Sequence, residues 1–295
     1  MTQQSKSTIL IQKPDWLRRR LPTGSAFEKV KGMIGRDRLH TVCQEAKCPN
    51  IWECFSHHTA TFLIMGSKCT RNCRFCSVPE GDLEPPDPAE PARVTRVSRE
   101  MGLKYVVITS VTRDDLADGG AGIFAETIKE IRNQIPDACV EVLIPDFQGN
   151  KEALFTVLHA KPDVLNHNIE TVARLYPRVR PQANYHRSLQ LIQRARESNP
   201  DLPTKSGLML GLGEYSDEIE MTLEDMRQAG CRILTLGQYL QPSRNHLAVE
   251  RFIPPEEFEA WREKALKLGF AEVASGPFVR SSYHAQELFQ EVSTR

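Results

Sequence analysis

Six of the chain's eight cysteines fall between residues 43 and 76, in two groups of three. Cys43, Cys48 and Cys54 are spaced C-x4-C-x5-C; Cys69, Cys73 and Cys76 are spaced C-x3-C-x2-C. Two thiolate triplets this close in sequence ask for two separate metal centres, and the fold has to gather each triplet. Three ligands per centre leave one coordination position that cysteine does not fill, and that open position is where chemistry is expected.

The rest of the sequence sets a plain background. A chain of 295 residues is long enough to bury a sizeable core. Formal net charge is zero, so no overall field points to nucleic acid. No apolar run approaches the roughly 20 residues of a membrane span. The opening residues MTQQSKSTILIQ lack a basic flank followed by an apolar core, so a secretory signal is not expected. A cytoplasmic, reducing home follows as the expectation, and there clustered cysteines serve as metal ligands more often than as disulfides.

Along the chain, residues 1–25 read as an extended arm broken by Pro14, Pro22 and Gly24. Thr61 to Met65 form a short apolar run that fits a buried strand, so the second triplet falls on the loop leaving it. Glu80 to Pro91 is rich in proline and acid and reads as loop. Beyond residue 92 short apolar runs recur at Tyr105–Thr109, Val140–Ile144, Val164–Asn166, Gly207–Leu210 and Ile233–Leu240. Segments of helical period separate them, at 122–134, 150–160, 185–198, 216–229 and 255–269. Such alternation predicts a parallel sheet with helical crossovers. With 61–65 as the first strand there are six strand–helix units, hence a partial, open (β/α)6 barrel, and 271–274 can add a further strand. The expected division is 1–58 as an N-terminal extension carrying the first triplet, 59–270 as the barrel, and 271–295 as a tail that folds back. Active sites of such sheets gather at the carboxyl ends of the strands.

Three thiolates in an eight-residue loop can hold three corners of a four-iron cubane and leave the fourth iron open. A structural zinc site is the plainer alternative, but it wants four ligands, often as paired C-x2-C. The spacing C-x3-C-x2-C, with Phe75 before the last cysteine, resembles the signature of the radical S-adenosylmethionine (SAM) superfamily. That resemblance implies that the open iron chelates the methionine part of SAM, whose reductive cleavage yields a 5′-deoxyadenosyl radical. Chemistry of this kind belongs to a cofactor, which the protein positions.

The stretch Thr41 to Cys54 narrows the likeness. It resembles the lipoyl synthases, as do Thr59 to Val78 (TATFLIMGSKCTRNCRFCSV), Val107 to Gly120 (VITSVTRDDLADGG) and Gly276 to Tyr283 (GPFVRSSY). The resemblance runs from about Pro14 to Ala285. It implies an auxiliary 4Fe-4S cluster on Cys43, Cys48 and Cys54, with a tail serine as fourth ligand. Ser282 is favoured over Ser281. A hard alkoxide is a poor match for a cluster otherwise held by thiolates, so that corner should be labile. The resemblance further implies that this cluster is dismantled to supply sulfur. The implied substrate is an octanoyl group on a lysine of a lipoyl carrier domain or H protein, with sulfur inserted at C6 and C8. Ferredoxin or flavodoxin is the implied electron donor, an iron–sulfur carrier the implied source of cluster repair, and neither nucleic acid nor membrane is an expected partner.

Further residues are candidates for SAM contact. Gly207 to Glu214 looks like the glycine-rich fifth-strand motif of the superfamily, which puts Gly211 and Glu214 near the adenosine; a strand end and turn is the alternative. Asn168 and Glu170 can bond ribose hydroxyls, although Glu170 fits the first turn of a helix equally well. Arg180 can pair its planar fork with the methionine carboxylate, or be a solvated surface residue. The superfamily's Gly-Gly-Glu after the second strand is absent. Thr109-Ser110-Val111 stands there, which makes Thr109 a candidate and leaves Asp114, Asp115 and Asp118 as possible acceptors for the amine. Cys139 and Cys231 read as buried structural thiols, and Arg18-Arg19-Arg20 either docks an acidic carrier or is a solvated face. Rival readings are a sulfur-inserting radical enzyme of the biotin synthase or methylthiotransferase type, and a non-catalytic iron–sulfur carrier or zinc module.

Overall fold

The computed structural model describes residues 12–18 and 25–293. Most of the expected N-terminal arm lies outside the described residues, as do Arg19 and Arg20. The strands are β1 (His40–Thr41), β2 (Thr61–Ile64), β3 (Tyr105–Ser110), β4 (Cys139–Leu143), β5 (Val164–Asn166), β6 (Thr204–Leu210), β7 (Ile233–Gln238) and β8 (Glu272–Gly276). They form one open sheet in sequential order. β1 runs antiparallel to β2, and every later neighbour is parallel.

The six strands expected from the apolar runs are β2 to β7, and β8 is the additional one. β1 escaped sequence reading because two residues carry no periodicity. The parallel strands are joined by helices at Glu90–Glu100, Ala121–Gln134, Lys151–His159, Tyr185–Ser198, Ser216–Gln228 and Pro255–Lys267, which completes the (β/α)6 pattern. One expectation is corrected. The stretch from Glu80 to Pro91 is not all loop, because Glu90 and Pro91 open the first crossover helix. Proline is tolerated there, since first-turn N–H groups have no partner within the helix. Glu90 is buried, and its carboxylate accepts from Met65 N at 2.8 Å. That bond fixes the turn where β2 gives way to the second triplet.

Local sequence explains the helices. Asn150 and Asn184 cap theirs, accepting from Ala153 N at 3.1 Å and Arg187 N at 2.9 Å. Strands buried on both faces, such as Val106 to Ile108, are runs of β-branched residues. One apolar core lies between β2–β4 and their helices and another under β6–β7. The N-terminal extension joins the first core by stacking Phe27 on Trp52, ring centroids 4.1 Å apart. Inside the sheet's curve, toward the amino ends of the strands, Lys205 Nζ meets Glu141 at 3.0 Å with both side chains buried. Tyr105 and Asn166 donate to the same carboxylate. The tail does fold back. It ends in a helix, Ala285–Ser293, that the sequence reading lacked, and Phe289 of this helix packs its ring against Tyr105.

Candidate active site

A cavity of about 570 Å³ opens at the carboxyl ends of the strands, within the size range of small-ligand sites. All six triplet cysteines line it, with Thr109, Asn168, Glu170 and Arg180 and the tail residues Ser281 and Ser282. Cys43 and Ser282, 239 positions apart in the sequence, thus face one space.

The first triplet is built on two short helices. Cys43 is in Val42–Glu45, capped by the Thr41 hydroxyl accepting from Gln44 N at 3.3 Å. Cys54 is in Ile51–Ser56, and Cys48 lies between, its N–H donating to Cys43 O at 3.0 Å. The tail closes over this unit. Asn50 Nδ2 donates to Phe278 O at 2.7 Å, and the Tyr283 hydroxyl donates to Glu53 Oε1 at 2.7 Å.

The second triplet's loop is tied on several sides. Cys69 Sγ accepts from Thr112 N at 3.2 Å and Arg71 N at 3.4 Å; N–H donors to sulfur of this kind tune cluster potentials. His246 Nε2 lies 2.9 Å from the Cys76 carbonyl. Arg71, between the first two cysteines, is buried and spans Asp114 (Nε to Oδ2, 2.6 Å) and Asp146 (Nη2 to Oδ1, 2.6 Å). Asp114 is therefore occupied by Arg71. Asp115 pairs with Arg113 at 2.7 Å, and Asp118 accepts from Gly120 N and Gly122 N. Each of the three aspartates offered as an amine acceptor already has a structural partner.

Burial shifts Cys43, Cys73, Cys76 and Glu170 in the cavity. Burial, then neighbouring Cys48, pushes Cys43 up to about 12, and burial with Cys73 and Cys69 nearby pushes Cys76 up to about 12. Cys73 also rises through burial, with Arg180 opposing. Burial likewise raises Glu170 against the pull of Arg180 and Asn168. Burial and the Arg180 charge depress His167 to about 4, so it is a neutral imidazole.

The candidate SAM contacts sit in different settings. Arg180 is no surface residue. It is buried beneath the cavity, with Nη1 donating to Asn168 O at 2.9 Å and its Nε unpartnered. Glu170 is not in a helix; it takes a left-handed φ of 68° and pairs with Leu208 on β6. Asn168 Nδ2 donates to Glu170 Oε1 at 3.0 Å and to Ser281 Oγ at 2.7 Å. Thr109 Oγ1 donates to Leu143 O at 2.9 Å. Gly211 and Glu214 are not brought to the cavity. The Glu214 carboxylate closes on Gly211 N and Leu212 N of its own loop. Gly211 has no room for a Cβ, which would collide with the Gln238 side chain and Arg251 O, so the close approach it permits is to the protein itself. Cys231 is buried as expected, whereas Cys139 is half-buried.

Several buried polar atoms lack partners: Ser110 Oγ, His167 Nε2 and Asn50 Oδ1, on residues to which sequence reasoning gave no role, and Asn168 Oδ1 and Arg180 Nε on two expected SAM contacts. All belong to residues that line the cavity. Buried polar atoms are ordinarily satisfied, so this lining fits a polar ligand carrying both donors and acceptors, as SAM does. Among the described residues no three His, Cys, Asp or Glu side chains converge on a single-ion position. Cys48 is near enough to raise Cys43, and Cys73 and Cys69 to raise Cys76, a spacing that suits separate corners of a cluster.

Comparison with known proteins bears on family and fold. A family model of the Radical SAM superfamily matches residues 63–226, and one of the N-terminal domain of lipoyl synthase matches residues 2–48. The chain is 53% identical to a lipoyl synthase of Alkaliphilus metalliredigens over 95% of this chain and 97% of that one. It is 54% identical to a lipoyl synthase of Desulfotalea psychrophila over 98% and 96%. Among solved structures, Streptococcus suis SuiB bound to precursor peptide SuiA superposes with a TM-score of 0.57 at 11% identity, over 81% of this chain. The chain spans about half of SuiB, 54%. HydG, a maturase of the FeFe-hydrogenase, superposes at 0.51 with 16% identity, over 88% of this chain and 74% of that one. These last two bear on the fold alone.

Proposed function

The chain belongs to the lipoyl synthase family of the radical SAM superfamily, and from that membership we infer how its residues divide the work of a lipoyl synthase, which inserts sulfur at C6 and C8 of an octanoyl group. The cofactors are two 4Fe-4S clusters and SAM. When bound, they supply the electron, the radical that removes hydrogen from unactivated carbon, and the sulfur.

In this reading Cys69, Cys73 and Cys76 hold the cluster that receives SAM. Arg180 supplies the charge for the methionine carboxylate. Asn168 and Glu170 face the ribose, and Thr109 packs beside them. Cys43, Cys48 and Cys54 hold the sulfur-donating cluster, and Ser282 is its fourth ligand. Ser281 is already engaged by Asn168, whereas the Ser282 hydroxyl has no partner among the described residues. Residues 1–58 then serve as the auxiliary-cluster extension, 59–270 as the SAM-binding barrel and 271–295 as the closing tail. The carrier is a lipoyl carrier domain or H protein. The reductant is ferredoxin or flavodoxin, and an iron–sulfur carrier rebuilds the spent cluster. No helix among the described residues is long and apolar enough to cross a membrane, and we place the activity in the cytoplasm.

The observation that carries this reading is that both triplets and the tail serines line one cavity. Both centres can therefore reach one substrate chain. The test is anaerobic reconstitution with SAM, a strong reductant and an octanoyl-lysyl peptide, followed by mass spectrometry. Gain of two sulfurs supports it, without net loss of hydrogen as the dithiol or with loss of two hydrogens once oxidised to the disulfide. An unchanged peptide alongside 5′-deoxyadenosine would replace it with the biotin synthase-type alternative.

A further inference from the structure

The tail crosses the barrel mouth over two glycines. Gly237 faces Val279, and a Cβ there would lie 2.2 Å from Val279 O. That oxygen is backbone and cannot swing aside as a side chain would. Gly207, on the adjoining strand, leaves room for the Asn168 side chain that holds Ser281: a Cβ there would lie 2.5 Å from Thr235 Oγ1 and 3.2 Å from Asn168 Oδ1. Gly207 is registered with Thr235, and Gly237 with Met209, so the two glycines are offset by one inward-facing step on neighbouring strands. Beside them Asn168 donates to Ser281 Oγ at 2.7 Å, and Asn168 is itself fixed by Arg180 through its carbonyl at 2.9 Å. On the opposite side the tail is held by Asn50 at Phe278 O and by Glu53 at Tyr283. Ser282 is the residue between the last barrel-side tie and the last extension-side tie.

We propose that Gly237, Gly207 and Asn168 form a seat that fixes the tail through protein–protein contacts alone and so presents Ser282 to the first cysteine triplet. The three are positioning residues for the auxiliary cluster. The consequence for that cluster rests on the reading above, in which Cys43, Cys48, Cys54 and Ser282 hold it. A short tail has little core of its own, so without the floor its ordering cost is not offset. A serine also competes poorly for iron unless it is held in place.

The seat is tested in metal-free protein, by following backbone hydrogen exchange of residues 276–284, and separately in reconstituted protein by iron content and cluster spectroscopy. In Gly237→Ala, exchange of the tail rises about tenfold while that of β3 to β5 stays put. Reconstituted Gly237→Ala loses about one iron per chain, because a corner without its ligand is labile. Ser281→Ala removes the acceptor for Asn168 at little change in volume and gives a smaller rise in exchange, about threefold. If Gly237→Ala does not fold, as judged by circular dichroism, Ser281→Ala decides. Tail exchange at wild-type rates in the folded variants overturns the seat. The cluster reading is judged apart: if Cys43→Ala leaves the iron content unchanged, the first triplet holds no cluster, and the exchange result still decides the seat.

Discussion

The Tyr283 hydroxyl donates a 2.7 Å hydrogen bond to Glu53 Oε1 across 230 residues of sequence. Glu53 precedes Cys54 in the helix of the first triplet, and Tyr283 follows Ser282, so this bond sets the distance between three thiols and their proposed fourth ligand. A double-mutant cycle of Tyr283→Phe and Glu53→Gln should show a coupling of about 1 kcal/mol, as for a half-exposed hydrogen bond to a carboxylate. Urea unfolding of the metal-free protein under reducing conditions measures it. Strict additivity of the two variants would mean that water replaces the bond without loss.

The second triplet depends on a buried ion network. Arg71 bridges Asp114 and Asp146, and Arg187 Nε forms an ion pair with Asp146 Oδ2 at 3.0 Å. Arg71→Met should destabilise the fold by about 3 kcal/mol, because it leaves a buried carboxylate short of its main partner. The network also predicts an acid transition. Burial would raise Asp146, but the hydrogen bond and charge of Arg71 outweigh it and hold the carboxyl at about 2, below its ordinary 3.8. A carboxyl lowered on folding stabilises fully above its unfolded value and loses that contribution as pH falls from about 4 toward 2. Asp146→Asn should flatten the stability profile in that window. A profile with unchanged slope would show that Asp146 has no part in acid unfolding.

Cys43 and Cys76 predict a dependence at the other end of the scale. Both are raised from 9.0 to about 12, chiefly by burial. In the metal-free protein they stabilise below pH 9 as neutral thiols, and this is lost as pH rises from about 9 to 12, because the unfolded thiols ionise first. Loading a cluster must displace these protons, so iron uptake should release acid and strengthen with pH between 7 and 9. Unbuffered titration with ferrous iron and sulfide measures the release. Uptake independent of pH would place the ligands in the thiolate form already.

Which parts were legible in the sequence follows from how far each signal reaches. The apolar runs from Tyr105 to Leu240 marked the strands because burial on both faces leaves a local imprint. The spacing of Cys69, Cys73 and Cys76 marked a cluster loop for the same reason. The helix at Glu90 was hidden behind a run of proline and acid, since its capping role for Met65 depends on a residue 25 positions away. Asp114 looked like a ligand contact because a carboxylate past a strand end reads alike whether it meets a substrate or Arg71. Gly211 and Gly237 show the same ambiguity: glycine signals close approach without saying to what. At Gly211 the neighbour is Arg251 O, and at Gly237 it is Val279 O. Only the folded chain distinguishes these cases.

Arg180 gives the sharpest test of the SAM side. Its guanidinium is buried against the Tyr176 ring, 5.3 Å from the centroid, and its Nε lacks a partner. A buried cation with a free donor gains most from a ligand carboxylate, through a charge-assisted bond of about 1.5–3 kcal/mol. Arg180→Leu should therefore weaken SAM binding roughly 10- to 100-fold. Arg180→Lys should recover little, because an ammonium cannot both donate to Asn168 O and offer a planar fork to the ligand. Equilibrium binding of SAM to the reconstituted protein measures both variants, with tail hydrogen exchange as a control for the Asn168 contact. Full affinity in Arg180→Leu, with Cys69, Cys73 and Cys76 loaded, would move the carboxylate site elsewhere in the cavity. Recovery by lysine would reduce the role of Arg180 to charge alone.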